Sequence, residues 1–180
     1  MPAEKSVAVL DIVQHEQDVK RILELAEELQ NFGAKHGFNV FQPGAIKELK
    51  TAYLLGHNWI KNKKKADACS RHNEEELYEY LSGTEKGSGQ IDRFFKDGDG
   101  EQHKKHLQSV ERILRNKKFY LSFTDKNTAK PLHILRIYEV EPAKILAEAK
   151  RQLAASTNTI SHIGFNEKFA QENGTLVYSE

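Results

Sequence analysis

Asp67 and Glu79 are the residues of this chain whose neighbours best suit them for chemistry. They stand twelve positions apart, the reach of two short strands and a tight connection, so a hairpin would bring their carboxylates together. Two carboxylates at one point can hold a hard divalent cation, which activates water and neutralises charge on a phosphate. A lysine run, Lys61, Lys63, Lys64 and Lys65, precedes Asp67, and a glycine-rich polar stretch follows Glu79. Such a run is ordinarily a solvated loop. Abutting a carboxylate hairpin, Lys63, Lys64 and Lys65 are equally suited to phosphate contact.

Residues Glu76 to Ser82 alternate strictly, with Leu77, Glu79 and Leu81 on one face and Glu76, Tyr78, Tyr80 and Ser82 on the other, which predicts a strand. Glu79 then shares its face with two leucines, a costly place for an unpaired carboxylate, and a bound metal would offset that cost. Other groupings carry less. His103 and His106 share a helical face but lack a third ligand and read as a polar helix surface. Cys69 and His72 are too local for a catalytic pair, so Cys69 reads as a buried thiol. Asp97-Gly98-Asp99-Gly100 lacks the rest of a calcium loop and reads as a turn.

The elements that must position the carboxylates follow from hydrophobic period. Val19, Ile22, Leu25, Ala26, Leu29 and Phe32 recur at helical steps over Glu16 to Ala34, and Gly37 punctuates the end. The breadth of that stripe suits either the helix's own core or a dimer contact. Ala45 to Leu55 predicts a second helix, stopped at Gly56. Gly83 to Gly100 reads as a flexible loop, and Glu101 to Lys117 as a helix with Leu107, Val110, Ile113 and Leu114 on one face and a mostly basic opposite face. Lys118 to Thr124 and His133 to Val140 predict an antiparallel strand pair. Glu141-Pro142 opens a helix, and the chain closes with a short helix ending at Asn173-Gly174 and a strand from Thr175 to Tyr178. This order is that of a layered α/β or α+β domain.

Composition sets bounds. A chain of 180 residues is long enough for one domain with a sizeable core. With 27 Lys and Arg against 26 Asp and Glu the net charge is +1, so a nucleic-acid partner requires local concentration of positive charge. The one cysteine excludes an intramolecular disulfide and cysteine-based zinc. No apolar run approaches the roughly 18 residues of a membrane span, and the start MPAEKSVAVLDIVQ lacks a signal-peptide core, so a soluble cytoplasmic protein without a membrane partner is expected.

In ordered patches over most of its length the chain resembles the PvuII-type restriction endonucleases of the PD-(D/E)xK nuclease superfamily. The patches are AKHGFN, then Phe41, Gln42, Lys47 and Leu49, then Ala66-Asp67-Ala68, Tyr78-Glu79 and Lys86-Gly87. Ile137-Tyr138, Glu141-Pro142, Lys168, Gly174-Thr175 and Val177-Tyr178 complete them. The resemblance implies a restriction-endonuclease-like core, a mixed central sheet flanked by helices with an N-terminal helical dimerisation segment. It divides a single domain, residues 1–180, into a mainly helical dimerisation subregion (1–60), a catalytic core (61–140) and a DNA-recognition and C-terminal subregion (141–180). It further implies a homodimer that cleaves double-stranded DNA at specific sites with Mg2+ held by Asp67 and Glu79.

One departure bears on catalysis. The family's lysine stands two residues after the glutamate, where this chain has Leu81. Lys86 and Gln90 are the nearest replacements and Lys65 a third, so the catalytic set reads Asp67, Glu79, Lys86 and Gln90. A shifted register, with Glu75 or Glu76 as ligand, and loss of catalysis are the other options. For base reading the resemblance implies the stretch Ser88-Gly89-Gln90-Ile91-Asp92-Arg93 and a second region with Asn158, Ser161 and His162. Gln90 suits adenine, Arg93 guanine and Asp92 cytosine, and Lys168 joins the DNA-binding set. The competing expectations are a DNA-binding module on a nuclease scaffold without hydrolysis, and an interaction domain whose basic faces are merely solvated.

Overall fold

The computed structural model describes residues 13–61, 66–95, 110–126, 130, 132–158 and 160–180. The chain divides into two compact units, Met1–Ala45 and Ile46–Glu180. Among the described residues no helix is long and apolar enough to cross a membrane.

The first unit is built on α1, Glu16–His36. Glu16 and Asp18 lie in its first turn and Lys35 and His36 in its last, each sign at the helix end that favours it. Gly37 ends the helix at φ +72°, and its N–H donates to Ala34 O while that of Phe38 donates to Gly33 O. Only glycine takes this left-handed position without strain. The returning chain lies on Gly33, whose missing side chain would sit 2.7 Å from Phe38 O, and Val40 is buried there. Ile22, Leu25, Leu29 and Phe32 remain exposed on α1.

The second unit is a mixed α/β structure whose central sheet is mostly antiparallel. The helix α2, Ala45–Leu55, ends at Gly56 with the same pair of reverse bonds, Gly56 N–H to Tyr53 O and His57 N–H to Ala52 O. The strands β1 (Asn58–Trp59), β2 (Ala68–Cys69) and β3 (Leu77–Thr84) form an antiparallel meander. Then β5 (Lys118–Thr124) pairs parallel to β3, β6 (Ile134–Val140) antiparallel to β5, and β8 (Gly174–Ser179) antiparallel to β6. The sheet order is β1-β2-β3-β5-β6-β8, while β4 (Ser88–Phe95) and β7 (Ile160–Asn166) form a separate two-stranded ribbon.

Both faces of the sheet are covered. One holds Leu81, Phe119, Leu121 and Val140 against Ile145, Ala149 and Leu153 of α3 (Pro142–Ala155) and Ala170 of α4 (Glu167–Asn173). The i, i+4, i+8 spacing of the α3 residues puts them on one helical stripe. The other face holds Tyr78, Tyr80, Tyr120 and Ile137 with Ala52 of α2. The tyrosine face of β3 is therefore a second core, and Tyr78 and Tyr80 are each only 8% exposed.

Within the expected loop from Gly83 to Gly100, Gly83 and Thr84 end β3, a turn follows, and Ser88–Phe95 is a strand with Ile91 and Phe94 buried. Its glycines mark close approach, not flexibility: a Cβ on Gly89 would lie 2.9 Å from Leu81 Cβ, and one on Gly83 would lie 2.8 Å from Gly89 N. The ribbon thus crosses directly over β3. Of the expected helix over 101–117, residues 101–109 lie outside the described residues, and Val110–Arg115 is a 3-10 helix with Ile113 buried and Leu114 exposed.

Candidate functional site

Asp67 sits just before β2, its backbone bonded on both sides. Ile60 N–H donates to its carbonyl at 2.9 Å, and its own N–H donates to Tyr78 O at 3.1 Å. Asp67 stands one residue before, and Glu79 one residue after, the matched pair Ala68–Tyr78 on the two neighbouring strands. Both are half-buried. Oδ2 of Asp67 accepts the main-chain N–H of Tyr80 at 2.9 Å, so the carboxylate also supports β3.

Among the described residues no three His, Cys, Asp or Glu side chains converge as a metal cage. Two carboxylates still suit Mg2+, which keeps several of its waters and takes one or two protein ligands.

Of the expected replacements for the missing lysine, Lys86 and Gln90 do not reach this pair. Lys86 lies in the turn after Thr84. Five residues of strand, about 17 Å at roughly 3.3 Å per residue, separate Glu79 from that turn, beyond the reach of a lysine side chain. Gln90 follows Gly89, which lies against Leu81, but strand alternation sends its exposed side chain to the opposite face from Gly89 and Ile91. Leu81 itself is 4% exposed and part of the main core. Lys63, Lys64 and Lys65 lie outside the described residues, as do His103, His106 and the 97–100 turn.

The base-reading candidates, by contrast, are gathered. The stretches 88–93 and 158–162 become neighbours because β4 and β7 pair: Ser88 faces Asn166, Gln90 faces Gly164, and Ile91 faces Ile163. The next matched pair is Phe94 with Ser161, so Asp92 and Arg93 together oppose His162 in a β-bulge. Ile91, Phe94, Ile163 and Phe165 are buried inward, leaving Gln90 and His162 exposed on the outer face. Asn158, Ser161 and His162 also line one concavity of about 360 Å³ with Gln152, Ser156 and Ile163. There the Ser156 and Ser161 hydroxyls are 2.6 Å apart. Lys168 stands apart from this group on α4, exposed and 3.8 Å from Glu172 in an ion pair worth little at that exposure.

A cluster that the sequence did not announce backs β3 on its tyrosine face. His57 Nδ1 lies 2.8 Å from Tyr80 Oη, and its ring packs 4.5 Å from that of Tyr78 and 4.9 Å from that of Tyr120. Burial lowers the His57 pKa below the ordinary histidine value, Glu139 opposing and Arg71 reinforcing the shift. Burial pushes the Tyr80 phenol far up, with Tyr120 and Asp67 adding to it. His57 and Tyr80 share one hydrogen bond, whose direction is set by the imidazole tautomer. Tyr120 donates to Glu139 at 2.9 Å, and Lys118 pairs with Glu139 at 2.8 Å and with Glu141. Burial alone would raise the Glu139 carboxyl, but hydrogen bonds from Lys118 and Tyr120 bring it below its usual range. Tyr120 is also raised, by burial first and then by its bond to Glu139. The contacts of the cluster tie β3 to β5.

The outward positions of Gln90 and His162 follow from one local rule. Wherever the tyrosine, leucine or isoleucine face of a strand is buried, register fixes which polar residues face out. Comparison with protein-family models and with curated proteins found no match to this chain.

Proposed function

We propose that the chain is a site-specific double-strand DNA endonuclease of the PvuII type, with a divalent cation held by Asp67 and Glu79. The observation that carries this reading is the ribbon. Two stretches far apart in sequence, each suited to base contacts, meet in β4 and β7, and the ribbon touches β3 at Leu81, two residues from Glu79. A two-stranded ribbon fits the major groove of B-DNA. The meander with Asp67 before β2 and Glu79 on β3 supports the finer assignment to a restriction-endonuclease-like core, as does the parallel step from β3 to β5. When bound at that pair, Mg2+ supplies an activated water and neutralises charge on the phosphate.

Homodimerisation through α1 belongs to the same proposal. Ile22, Leu25, Leu29 and Phe32 follow a 3-4-3 spacing, the seam of paired helices, and all four are exposed. A two-fold dimer would place two ribbons on a palindromic site. The lone, buried Cys69 suits a reducing cytoplasmic setting.

One observation favours a second reading, DNA binding without hydrolysis: Leu81 is packed in the core where an ammonium group would be needed. Incubating the purified protein with long DNA of known sequence, with and without Mg2+, and mapping the ends separates the two. Discrete fragments with Mg2+ support the endonuclease. Retardation without cutting moves the chain to the second reading, and absence of any salt-sensitive retention rejects both.

A further inference from the structure

We propose that Gln152 is a positioning residue for the DNA-reading ribbon, its side-chain amide closing the open edge of β7 at Gly164 and so fixing the strand opposite Gln90. Gln152 Nε2 donates to Gly164 O at 2.8 Å, and Gly164 N–H donates to Gln152 Oε1 at 3.2 Å. This pair of bonds is what a neighbouring strand would make with one residue. A side chain here takes the place of a third strand, and an open edge is covered at one point.

The orientation of the amide is fixed. Nε2 also donates to Glu148 Oε1 at 2.7 Å, and an ionised carboxylate only accepts. Glu148 is in turn held by Arg151 through two bonds of 2.6 and 2.7 Å, which lower its pKa. All three side chains stand on α3, whose Ile145, Ala149 and Leu153 are anchored in the core. The clasp is therefore referenced to the rigid part of the unit.

Its effect reaches the outer face. Because the N–H and C=O of Gly164 point away from β4, Gly164 and Gln90 form the non-hydrogen-bonded kind of antiparallel pair, in which facing positions come closest. Gly164 brings no side chain to that pair, and a Cβ there would lie 2.8 Å from Ser88 Oγ. Without the clasp, β7 still shares the core with α3 through Ile163 and Phe165, but it loses the hydrogen bonds that set its edge, and with them the reference of the Asp92–Arg93 bulge two steps along.

The proposal rests on the DNA-reading assignment of the ribbon, and the experiment separates the two. A pool of duplexes with randomised centres is retained on wild-type protein and on Gln152→Leu, then sequenced, and amide hydrogen exchange is measured on both proteins without DNA. The expected result for Gln152→Leu is a loss of about tenfold in enrichment of the preferred sequence, the value of one well-aligned base contact. The salt dependence of unselected binding should be unchanged, and exchange should be faster at Gly164, Gly89 and Ile91. Unchanged enrichment in folded Gln152→Leu, or equal loss for preferred and unselected duplexes, overturns the proposal. If that variant does not fold, Gln152→Glu, which keeps the acceptor for Gly164 N–H but not the donor, replaces it. Intermediate enrichment then supports the clasp and wild-type enrichment overturns it. If wild-type protein retains no duplex, the DNA-reading assignment fails, and exchange alone decides: faster exchange at Gly164 upholds the clasp and unchanged protection overturns it.

Discussion

Oδ2 of Asp67 accepts the main-chain N–H of Tyr80 at 2.9 Å, so one carboxylate of the proposed metal pair also binds the backbone of the strand that carries the other. The two roles separate by substitution. Asp67→Asn keeps an oxygen acceptor for Tyr80 but loses the charge, whereas Asp67→Ala loses both. Urea denaturation should show Asp67→Ala destabilised by about 1–3 kcal/mol, the usual loss of a hydrogen bond to a charged group, with Asp67→Asn affected less. Neither variant should cut DNA with Mg2+. Wild-type cutting by Asp67→Asn would remove Asp67 from the metal site.

His57 sets a pH dependence. Its pKa is lowered in the fold, chiefly by burial. Below the ordinary histidine value, about 6.5, the unfolded chain therefore takes up a proton that the folded ring resists. The contribution is fully present above that pH, declines as pH falls below it, and levels off once the folded ring is itself protonated. Gln at this position can hydrogen-bond Tyr80 without titrating. The stability advantage of wild type over His57→Gln should therefore shrink between about pH 7.5 and 5.5, and growth of that advantage on acidification would contradict the account.

The crossing of the ribbon over β3 makes Gly89 irreplaceable. A methyl group there would lie 2.9 Å from Leu81 Cβ and 3.1 Å from Leu81 C. One of those contacts is backbone, so the strands must separate. Gly89→Ala should cost about 1–3 kcal/mol, the usual cost of overpacking. By contrast, Gly164→Ala meets only the Ser88 side chain, with Oγ at 2.8 Å and Cβ at 3.3 Å, and should cost less. Thermal unfolding of the two variants side by side tests the order.

Exposed leucines on α1 give the dimer proposal its test. Leu25 and Leu29 are 41% and 44% exposed, so a charge at Leu29 costs little in an isolated chain and disrupts an apolar helix seam. Leu29→Glu should sediment as a monomer at concentrations where wild type is dimeric, with far-UV dichroism unchanged. A wild-type monomer at high concentration would end this proposal.

Where hydrophobic period is strong, the reading from residues and the structure agree closely. The expected helix over Ala45 to Leu55 has those bounds, and the strand pair at Lys118–Thr124 and Ile134–Val140 is antiparallel. The β4 strand was hidden because its glycines, read as loop formers, serve to let it lie on Leu81 and Gly83. The β7 strand was hidden by its short polar start and by Gly164. Neither Lys86 nor Gln90 could be discounted from sequence distance, since that required knowing where β3 ends and which way β4 alternates. His57 carried no signal at all. Its contacts come from Tyr78, Tyr80 and Tyr120, and only the pairing of β3 with β5 brings those rings together.

The partner of β4 is β7, and between them the chain must first make β5, β6 and α3. A nascent chain therefore carries the pairing edge of β4 without its partner until nearly all of the second unit has been synthesised. Pairings this distant in sequence form late, because the loop must close before any contact rewards it. The ribbon's assembly is gated by the arrival of the last few strands, so a truncation that spares β6 but removes β7 would leave the hydrogen-bonding edge of β4 open to other chains.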